Sequence, residues 1–152
     1  YFIGNGGSAS TCSHFAIDLS FMSNRQLKST KKRFQAISLC DNQAVITAIS
    51  NDYGYEKVFK RQLETLSTKG DVFFAYSTSG NSMNILKALE SAKEKEVITI
   101  GFSGNDGGRM KDICDICFVV PHINTALIQE VHSILGHEIC SSVEKSLFFS
   151  DS

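Results

Sequence analysis

The middle of the chain holds a six-residue segment in which four side chains carry a hydroxyl group, Ser77-Thr78-Ser79-Gly80-Asn81-Ser82. An apolar run at 71–76 predicts a buried strand before this segment, and the apolar spacing at 84–90 predicts a helix after it. A helix N-terminus favours a bound anion, because its backbone N–H groups are unpaired and it carries about half a positive charge. The segment, which we call the serine loop, therefore predicts a phosphate site whose hydroxyl donors are Ser77, Thr78, Ser79 and Ser82.

The serine loop could instead be only an N-cap and a turn, since Ser, Asn and Gly are common at such junctions. One cap needs one such residue, whereas this segment continues for six residues. It contains no lysine, so it differs from the phosphate loop of nucleoside triphosphatases. We therefore expect a phosphomonoester as the ligand rather than a nucleoside triphosphate.

A second candidate loop, Gly4-Asn5-Gly6-Gly7-Ser8-Ala9, follows a short apolar run at the start of the chain. Gly4, Gly6 and Ala9 match the glycine pattern of dinucleotide-binding folds. The acidic residue that such folds place about 20 residues later would have to be Asp41, which lies well beyond that spacing. The glycines more simply allow the backbone to approach some other ligand closely.

Two histidines and an aspartate could perform proton transfer or bind a metal. His14 and Asp18 are four residues apart on a predicted helix, so they share one helix face and could hold one metal ion or one substrate edge. They could equally be an ordinary polar pair on a half-exposed face. His137 could act as an acid or base, because an imidazole titrates near neutral pH. Gln129 and His137 are separated by about 12 Å of helix, so they reach one ion only if the helix deforms or different subunits contribute.

Length and composition limit the class of protein. At 152 residues, with 42% hydrophobic and 20% charged residues, the chain is long enough for one well-buried core and short for two. A net charge of -1 argues against nucleic acid or an anionic membrane as the main partner, because domains that bind either usually carry a basic excess. Five scattered cysteines, with no signal peptide and no long apolar run, favour a reducing cytoplasm.

Strand-like apolar runs alternate with amphipathic helical segments, which predicts an α/β fold in which helices cover both faces of a parallel sheet, a three-layer sandwich. Ligands of such sheets bind beyond the carboxyl ends of the strands, where both candidate loops lie. The final helix, expected at 125–147, is apolar over so wide an arc that we expect it to be buried on two sides and the protein to self-associate. Strands are predicted at 1–3, 34–39, 71–76, 97–102 and 116–120, and a short helix at 44–49 that ends before Asn51.

Some other residues have simple structural explanations. The basic residues at 25–33 are expected to form a solvated loop. Cys114 and Cys117 have the spacing of a zinc or redox pair, but they stand at the entry to a strand and no second pair accompanies them. We interpret His122 as a loop residue and His132 as a structural residue.

Several motifs also occur together in a fixed order. They are Gly4-Asn5-Gly6-Gly7-Ser8-Ala9, Asn51-Asp52-Tyr53-Gly54, Gly70-Asp71-Val72, the serine loop, and Ile128-Gln129-Glu130-Val131-His132 with Gly136-His137. Together they resemble the motifs of the phosphoheptose isomerases of the sugar isomerase (SIS) domain superfamily. The resemblance runs from Tyr1 to about Leu147, and the combination is far more specific than any single motif.

The resemblance implies a flavodoxin-like fold with a five-stranded parallel sheet, in which 1–152 form a single SIS domain. It also implies a homotetramer with active sites at subunit interfaces. Family members have an N-terminal helical segment, which we expect this chain to lack. The implied reaction is an aldose–ketose isomerisation, from sedoheptulose 7-phosphate to D-glycero-D-manno-heptose 7-phosphate, a cytoplasmic step towards the heptose of bacterial lipopolysaccharide or capsule.

The family's functional residues can be carried over position by position. Catalysis then falls to Asp18 as the base and metal ligand and to His137 as a proton-transfer residue. The implied ligands of one Zn²⁺ per subunit are His14, Asp18, Gln129 and His137. The implied substrate contacts are Asn5, Gly6, Gly7, Asn51, Asp52, Ser77, Thr78, Ser79, Ser82 and Gln129.

The chain departs from the family's pattern at four positions. Family members carry Glu at Asp18, typically Asp at Thr11, and Arg at Met22 and Leu127. Arg25 could supply the cation that is missing at Met22.

Two alternatives to an enzyme stay open. Moving a carbonyl between C1 and C2 requires a base, an acid and stabilisation of an enediolate, and the retention of His137 and of an acid at position 18 favours catalysis. One alternative is a non-catalytic SIS module that binds phosphosugars or associates with the bacterial replication initiator. The other is a phosphosugar sensor, which would keep the serine loop and be indifferent to His137.

Overall fold

The computed structural model describes residues 1–22 and 34–148. Its strands are β1 (Phe2–Ile3), β2 (Val72–Ser77), β3 (Ile98–Gly104) and β4 (Ile116–Val120). Its α-helices are α1 (Gly7–Ile17), α2 (Gln43–Tyr53), α3 (Val58–Leu66), α4 (Met83–Glu94), α5 (Met110–Ile113) and α6 (Thr125–Phe148). A π-helical turn, Asp18–Met22, extends α1, and a 3₁₀ turn, Tyr55–Lys57, precedes α3. The basic residues at 25–33, including Arg25, lie outside the described residues.

The strands form one parallel sheet in the order β1-β2-β3-β4. Because every strand runs the same way, the segments that follow β1, β2 and β3 all leave from one edge of the sheet. Both candidate loops therefore lie at that edge, as the sequence predicted.

The expected strand at 34–39 is not formed as a strand. The segment pairs with β1 through a single parallel bridge, Phe2 to Ser38. Two backbone bonds flank this bridge, from Phe2 N–H to the carbonyl of Ile37 and from Leu39 N–H to the carbonyl of Phe2, each 3.0 Å. The described residues therefore form a four-stranded sheet with this bridge beside β1.

Alternate residues of β2 contribute to two separate apolar cores. Phe73 and Ala75 belong to a cluster that includes residues of α3, α4 and α5. Phe74 and Tyr76 pack in a second cluster with residues of α1 and α6. This alternation follows from the two-residue period of a strand, and it means that helices cover both faces of the sheet.

One expectation about the helices was wrong. α2 does not end before Asn51 but continues to Tyr53, and the chain leaves the helix at Gly54, whose φ of 89° favours glycine. One face of α6 packs on the sheet, while Leu127, Val131 and Ile134 are exposed in the single chain. Within the described residues, no helix is both long and apolar enough to cross a membrane.

Candidate functional site

The serine loop connects β2 to α4 and gathers three hydroxyl groups. Ser77 Oγ lies 3.1 Å from Ser82 Oγ and 3.4 Å from Ser79 Oγ. Ser82 is the N-cap residue of α4, yet its side chain does not cap the helix. The hydroxyl of Ser82 is thus directed towards Ser77 at the start of the helix, which is the arrangement expected for an anion site.

A second loop fixes the shape of the serine loop. The carbonyl of Gly80 accepts a bond from Met110 N–H at 3.0 Å, and Asn81 Oδ1 accepts one from Arg109 N–H at 3.1 Å. Gly80 has a φ of 64°, and a Cβ on it would lie 2.0 Å from the carbonyl oxygen of Gly107. A side chain at Gly80 is disfavoured by the backbone angle and blocked by the carbonyl of Gly107 as it stands.

The glycine loop after β1 is tied to the start of α4 through a pair of amides. Asn5 Nδ2 donates to Asn84 Oδ1 at 3.0 Å, and Asn84 Nδ2 donates to Asn5 Oδ1 at 2.8 Å. The hydroxyl of Tyr55 also donates to Asn5 Oδ1, at 2.8 Å. α4 begins directly after the serine loop, so these contacts hold the two loops together.

Three potential metal ligands converge between α1 and α6, and we call them the histidine group: His14, Asp18 and His137. Nε2 of His14 lies 2.9 Å from Nε2 of His137. Asp18 Oδ2 lies 3.3 Å from the first of these nitrogens and 3.9 Å from the second. One ligand atom from each residue lies within 4.8 Å of the others, which is close enough for one ion.

Packing beneath the histidine group brings its members together. Phe15 is buried, and its ring contacts both His14 and His137 with centroids 5.2 Å apart in each case. A Cβ on Gly136 would lie 2.1 Å from Phe15 Cζ. The absence of a side chain at Gly136 therefore lets α6 approach α1 closely enough for the two imidazoles to meet.

The histidine group is open to solvent on one side. The side chains of His14 and His137 are 53% and 58% exposed, whereas that of Asp18 is 17% exposed. The contact between the two ring nitrogens requires one to donate its N–H and the other to accept it with its lone pair. Asp18 is also the first residue of the π-helical turn, a deformation that occurs often at functional sites.

The structure separates Gln129 from the histidine group. A Cβ on Gly7 would lie 2.6 Å from Gln129 Oε1, so this carboxamide rests against the start of α1. Because Gly7 meets Gln129 and His14 meets His137, α1 and α6 run side by side in the same direction. Seven residues of α1 separate the two contacts, a rise of about 10 Å. Within one copy of the chain, Gln129 therefore lies apart from the histidine group.

The other predicted substrate contacts lie on α2, at the start of α1 and in the serine loop. Asn51 and Asp52 are exposed on the last turn of α2, where Asn51 Nδ2 donates to Asp52 Oδ1 at 2.8 Å. Gly6 is the N-cap of α1 with a φ of 56°. Thr78 is half-buried in the serine loop. Thr11 is one of the positions at which the chain departs from the family pattern, and its Oγ1 donates to the carbonyl of Gly7 at 3.2 Å.

His132 is a core residue, in agreement with its interpretation from sequence. It is 1% exposed, and its Nε2 lies 3.0 Å from the carbonyl oxygen of Ser103. The rings of Tyr76 and Phe102 flank it. Burial lowers the pKa of His132, so it is neutral near pH 7.

The sequence did not indicate that four residues shape the site. Tyr55 and Asn84 bond to Asn5, and Phe15 and Gly136 pack against each other beneath the histidine group. Tyr55 directly follows the Asn51–Gly54 motif, and Asn84 follows the serine loop, so their proximity to those motifs was a usable signal. Phe15 stands beside His14 but carries no chemistry of its own. Its role depends on a contact with α6, which no local pattern predicts.

The chain is similar to known proteins over almost its whole length. The SIS domain family matches residues 1–104. Phosphoheptose isomerase 2 of Campylobacter jejuni is 49% identical over 145 residues, which cover 95% of this chain and 70% of that protein. The phosphoheptose isomerase of Nitratiruptor sp. is 47% identical over 143 residues, covering 94% of this chain and 74% of the relative.

Two solved structures share the fold. The phosphoheptose isomerase of Neisseria gonorrhoeae superposes with a TM-score of 0.86 at 37% identity, covering 95% of this chain and 74% of the other. A phosphoheptose isomerase from Francisella tularensis also gives 0.86, at 33% identity, and covers 95% and 75% of the two chains.

Proposed function

The chain belongs to the phosphoheptose isomerase family of SIS-domain proteins, and we propose that it converts sedoheptulose 7-phosphate to D-glycero-D-manno-heptose 7-phosphate. The observation that carries the proposal is the histidine group, in which a carboxylate and two imidazoles meet. An aldose–ketose isomerase needs those groups to move a proton between two carbons. A module that only binds sugar phosphates does not.

The serine loop would bind the phosphate through Ser77, Thr78, Ser79 and Ser82, and Gln129 would contact the sugar where it rests against Gly7.

Asp18 and His137 would share the proton transfers. Asp18 Oδ2 takes the proton from the substrate carbon, and its low exposure keeps the carboxylate away from bulk water. His137 Nε2, 3.9 Å from that oxygen, exchanges a proton with the substrate oxygens. Asn5, Gly6, Asn51 and Asp52 would orient the sugar.

We propose that the histidine group also holds Zn²⁺, for which a carboxylate and two imidazoles are suitable ligands. Bound zinc polarises a carbonyl group as a Lewis acid. A fourth ligand from Gln129 would have to come from another copy of the chain, since Gln129 of the same copy lies at Gly7.

Self-association, as a homotetramer, belongs to the same proposal. Leu127, Val131 and Ile134 form an apolar stripe on α6, at helical spacing, that no described residue covers. Ile17 and Phe21 are also exposed, 53% and 68%, near the histidine group. Light scattering should show an oligomer at micromolar concentration, and a monomer would contradict this part of the proposal.

The family also supports two finer assignments. The bridge at Ser38 lies on the edge of β1 away from β2, which would give a five-stranded sheet the flavodoxin-like strand order in a three-layer sandwich. The reaction would take place in the cytoplasm, as a step in lipopolysaccharide or capsule heptose synthesis.

One experiment tests the proposed reaction directly. The protein is incubated with sedoheptulose 7-phosphate, with and without a chelator, and the aldose product is followed by NMR. We expect aldose to form and the chelator to slow its formation. Inactivity with retained phosphosugar binding would overturn the proposal in favour of a non-catalytic SIS module.

A further inference from the structure

Two cysteine sulfur atoms meet over one backbone position at the edge of the sheet. Gly101 of β3 is the ladder partner of Cys117 of β4. A Cβ on Gly101 would lie 2.7 Å from Cys114 Sγ and 3.2 Å from Cys117 Sγ. The two sulfurs therefore fill the space that the missing side chain of Gly101 leaves, and they face each other across it.

We propose that Cys114 and Cys117 form a redox-active dithiol that closes to an intramolecular disulfide by exchange with a small disulfide such as glutathione disulfide. The proposal rests on the geometry around Gly101 and is independent of the isomerase function. It assigns chemistry to a pair that lies apart from both the serine loop and the histidine group.

The surroundings give the two thiols different roles. The neighbouring Cys114 thiol, Ser103, whose Oγ lies 3.6 Å from Cys117 Sγ, and the charge of Lys111 lower the pKa of Cys117 to about 6 despite partial burial. The hydrogen bond to Cys117 and burial raise the pKa of Cys114, which also faces Asp115 and Lys93. Cys117 is thus the attacking thiolate and Cys114 the resolving thiol.

The exchange balances in two steps. The Cys117 thiolate attacks one sulfur of glutathione disulfide, forming a mixed disulfide and releasing one glutathione thiolate. Cys114 then loses its proton and attacks Cys117 Sγ, which breaks the mixed disulfide and releases the second glutathione. The two protein thiols lose two electrons and two protons in all, and glutathione disulfide gains them.

The pair is partly accessible, as are Cys40 and Cys140, whereas Cys12 is fully buried. Cys114 and Cys117 are both half-buried, and β4 pairs with β3 alone among the described strands. Cys12, in contrast, is fully buried in the core, where burial raises its pKa well above the usual value. Cys140 is half-buried, but burial raises its pKa to about 11, so it serves as an internal reference for an unreactive thiol.

The test uses the whole chain, reduced and then exposed to glutathione disulfide at neutral pH. Remaining thiols are alkylated, and peptides cut after glutamate separate the pair from Cys140 for mass spectrometry. We expect a loss of two hydrogens in the peptide with Cys114 and Cys117. Cys114→Ser should instead trap glutathione on Cys117, and Cys140→Ser should behave as the unchanged protein.

Alkylation rates test the assigned roles independently of disulfide formation. In the reduced protein, Cys117 should be alkylated faster than Cys140 by at least about tenfold at neutral pH, with a midpoint near pH 6. A peptide that keeps both thiols after exposure to glutathione disulfide would overturn the proposal, as would trapping of glutathione on Cys114 in the Cys117→Ser variant with none on Cys117 in Cys114→Ser. Circular dichroism of both variants checks that each one is folded.

Discussion

The serine loop and the histidine group are assembled in opposite ways. The hydroxyls of the serine loop come from six consecutive residues, and the bond between Ser77 and Ser82 spans only five positions. The histidine group joins His14 to His137 across 123 positions. The first site depends on one turn between a strand and a helix, whereas the second depends on how two helices pack. Changes in core packing should therefore damage the second site and spare the first.

The largest expected effect isolates the chemistry of the histidine group. Asp18→Asn should lower the turnover rate by about 10²–10⁴-fold, because the amide keeps the shape of the side chain but cannot accept a proton. Phosphosugar affinity, measured by calorimetry, should stay close to that of the unchanged protein. Turnover at the original rate would show that proton abstraction lies elsewhere, with His137 as the next candidate.

Asp18→Glu is the matched control for that variant. Glutamate is longer by one carbon–carbon bond, about 1.5 Å, and it is the residue that the family resemblance implies at this position. Its initial rate should equal or exceed that of the unchanged protein, because a misplacement near 1 Å can cost on the order of a hundredfold in rate. A slower Asp18→Glu variant would indicate that the π-helical turn already compensates for the shorter side chain.

A smaller effect tests the packing beneath the histidine group. Gly136→Ala should push α6 away from Phe15, since the added Cβ would lie 2.1 Å from the ring. We expect turnover to fall by about a hundredfold and the free energy of unfolding to fall by about 1–3 kcal/mol. Phosphosugar binding should persist. Glu138→Ala, an exposed change on the same helix, should alter neither quantity.

Comparable turnover in Gly136→Ala and Glu138→Ala would contradict the contrast between the two regions. Initial rates and thermal unfolding of the two variants, measured side by side, decide the question.

The same contrast explains what the sequence could predict. The serine loop was placed correctly because the period of apolar residues changes from strand to helix around it, and every residue needed was in one segment. The pairing of His14 with Asp18 also followed from helical spacing. The position of His137 beside His14 could not be derived from a local sequence pattern. It depends on the packing of α6 against α1, where Gly136 leaves room for the ring of Phe15.

Two segments differ from the prediction in different ways. Within the described residues, 34–39 meets β1 at a single parallel bridge, Phe2 to Ser38. The helix α2 was expected to stop at turn-forming residues, yet Asn51 and Asp52 bond to each other and the helix continues to Tyr53. In α2 the local propensity of the turn-forming residues was outweighed by contacts within the helix.

Within the serine loop the expected effects concern binding alone. Ser79→Ala and Ser82→Ala should each weaken phosphosugar affinity by about tenfold or more, because each removes a donor to a dianion and such bonds contribute about 1.5–3 kcal/mol. Thermal unfolding should be nearly unchanged. Calorimetric titration measures the affinity, and Ser133→Ala, a serine of α6 outside the loop, is the control. Unchanged affinity in both loop variants would refute the phosphate assignment.

The smallest effect tests the link between the two loops. Tyr55→Phe removes only the hydroxyl that donates to Asn5 Oδ1 at 2.8 Å. One neutral hydrogen bond contributes about 0.5–1.5 kcal/mol, so phosphosugar affinity should fall by about two- to tenfold. Tyr53→Phe is the matched control, because the Tyr53 ring stacks under Arg61 and keeps that contact without its hydroxyl. Equal phosphosugar affinities of the Tyr55→Phe and Tyr53→Phe variants would mean that the bond from Tyr55 is not needed, and that the amide pair of Asn5 and Asn84 is enough to hold the two loops together.

The contact between the serine loop and the loop after β3 has a consequence for how this protein can vary. A side chain on Gly80 would meet the carbonyl of Gly107, and one on Gly108 would lie 2.6 Å from the carbonyl oxygen of Ser79. Neither loop can accept a larger residue at these places while the other stays as it is. Random mutagenesis with selection for folding should therefore recover replacements of Gly80 only with accompanying changes at 103–108, so that the two segments are inherited as one unit. A graft of the serine loop onto another scaffold would have to carry its companion loop with it.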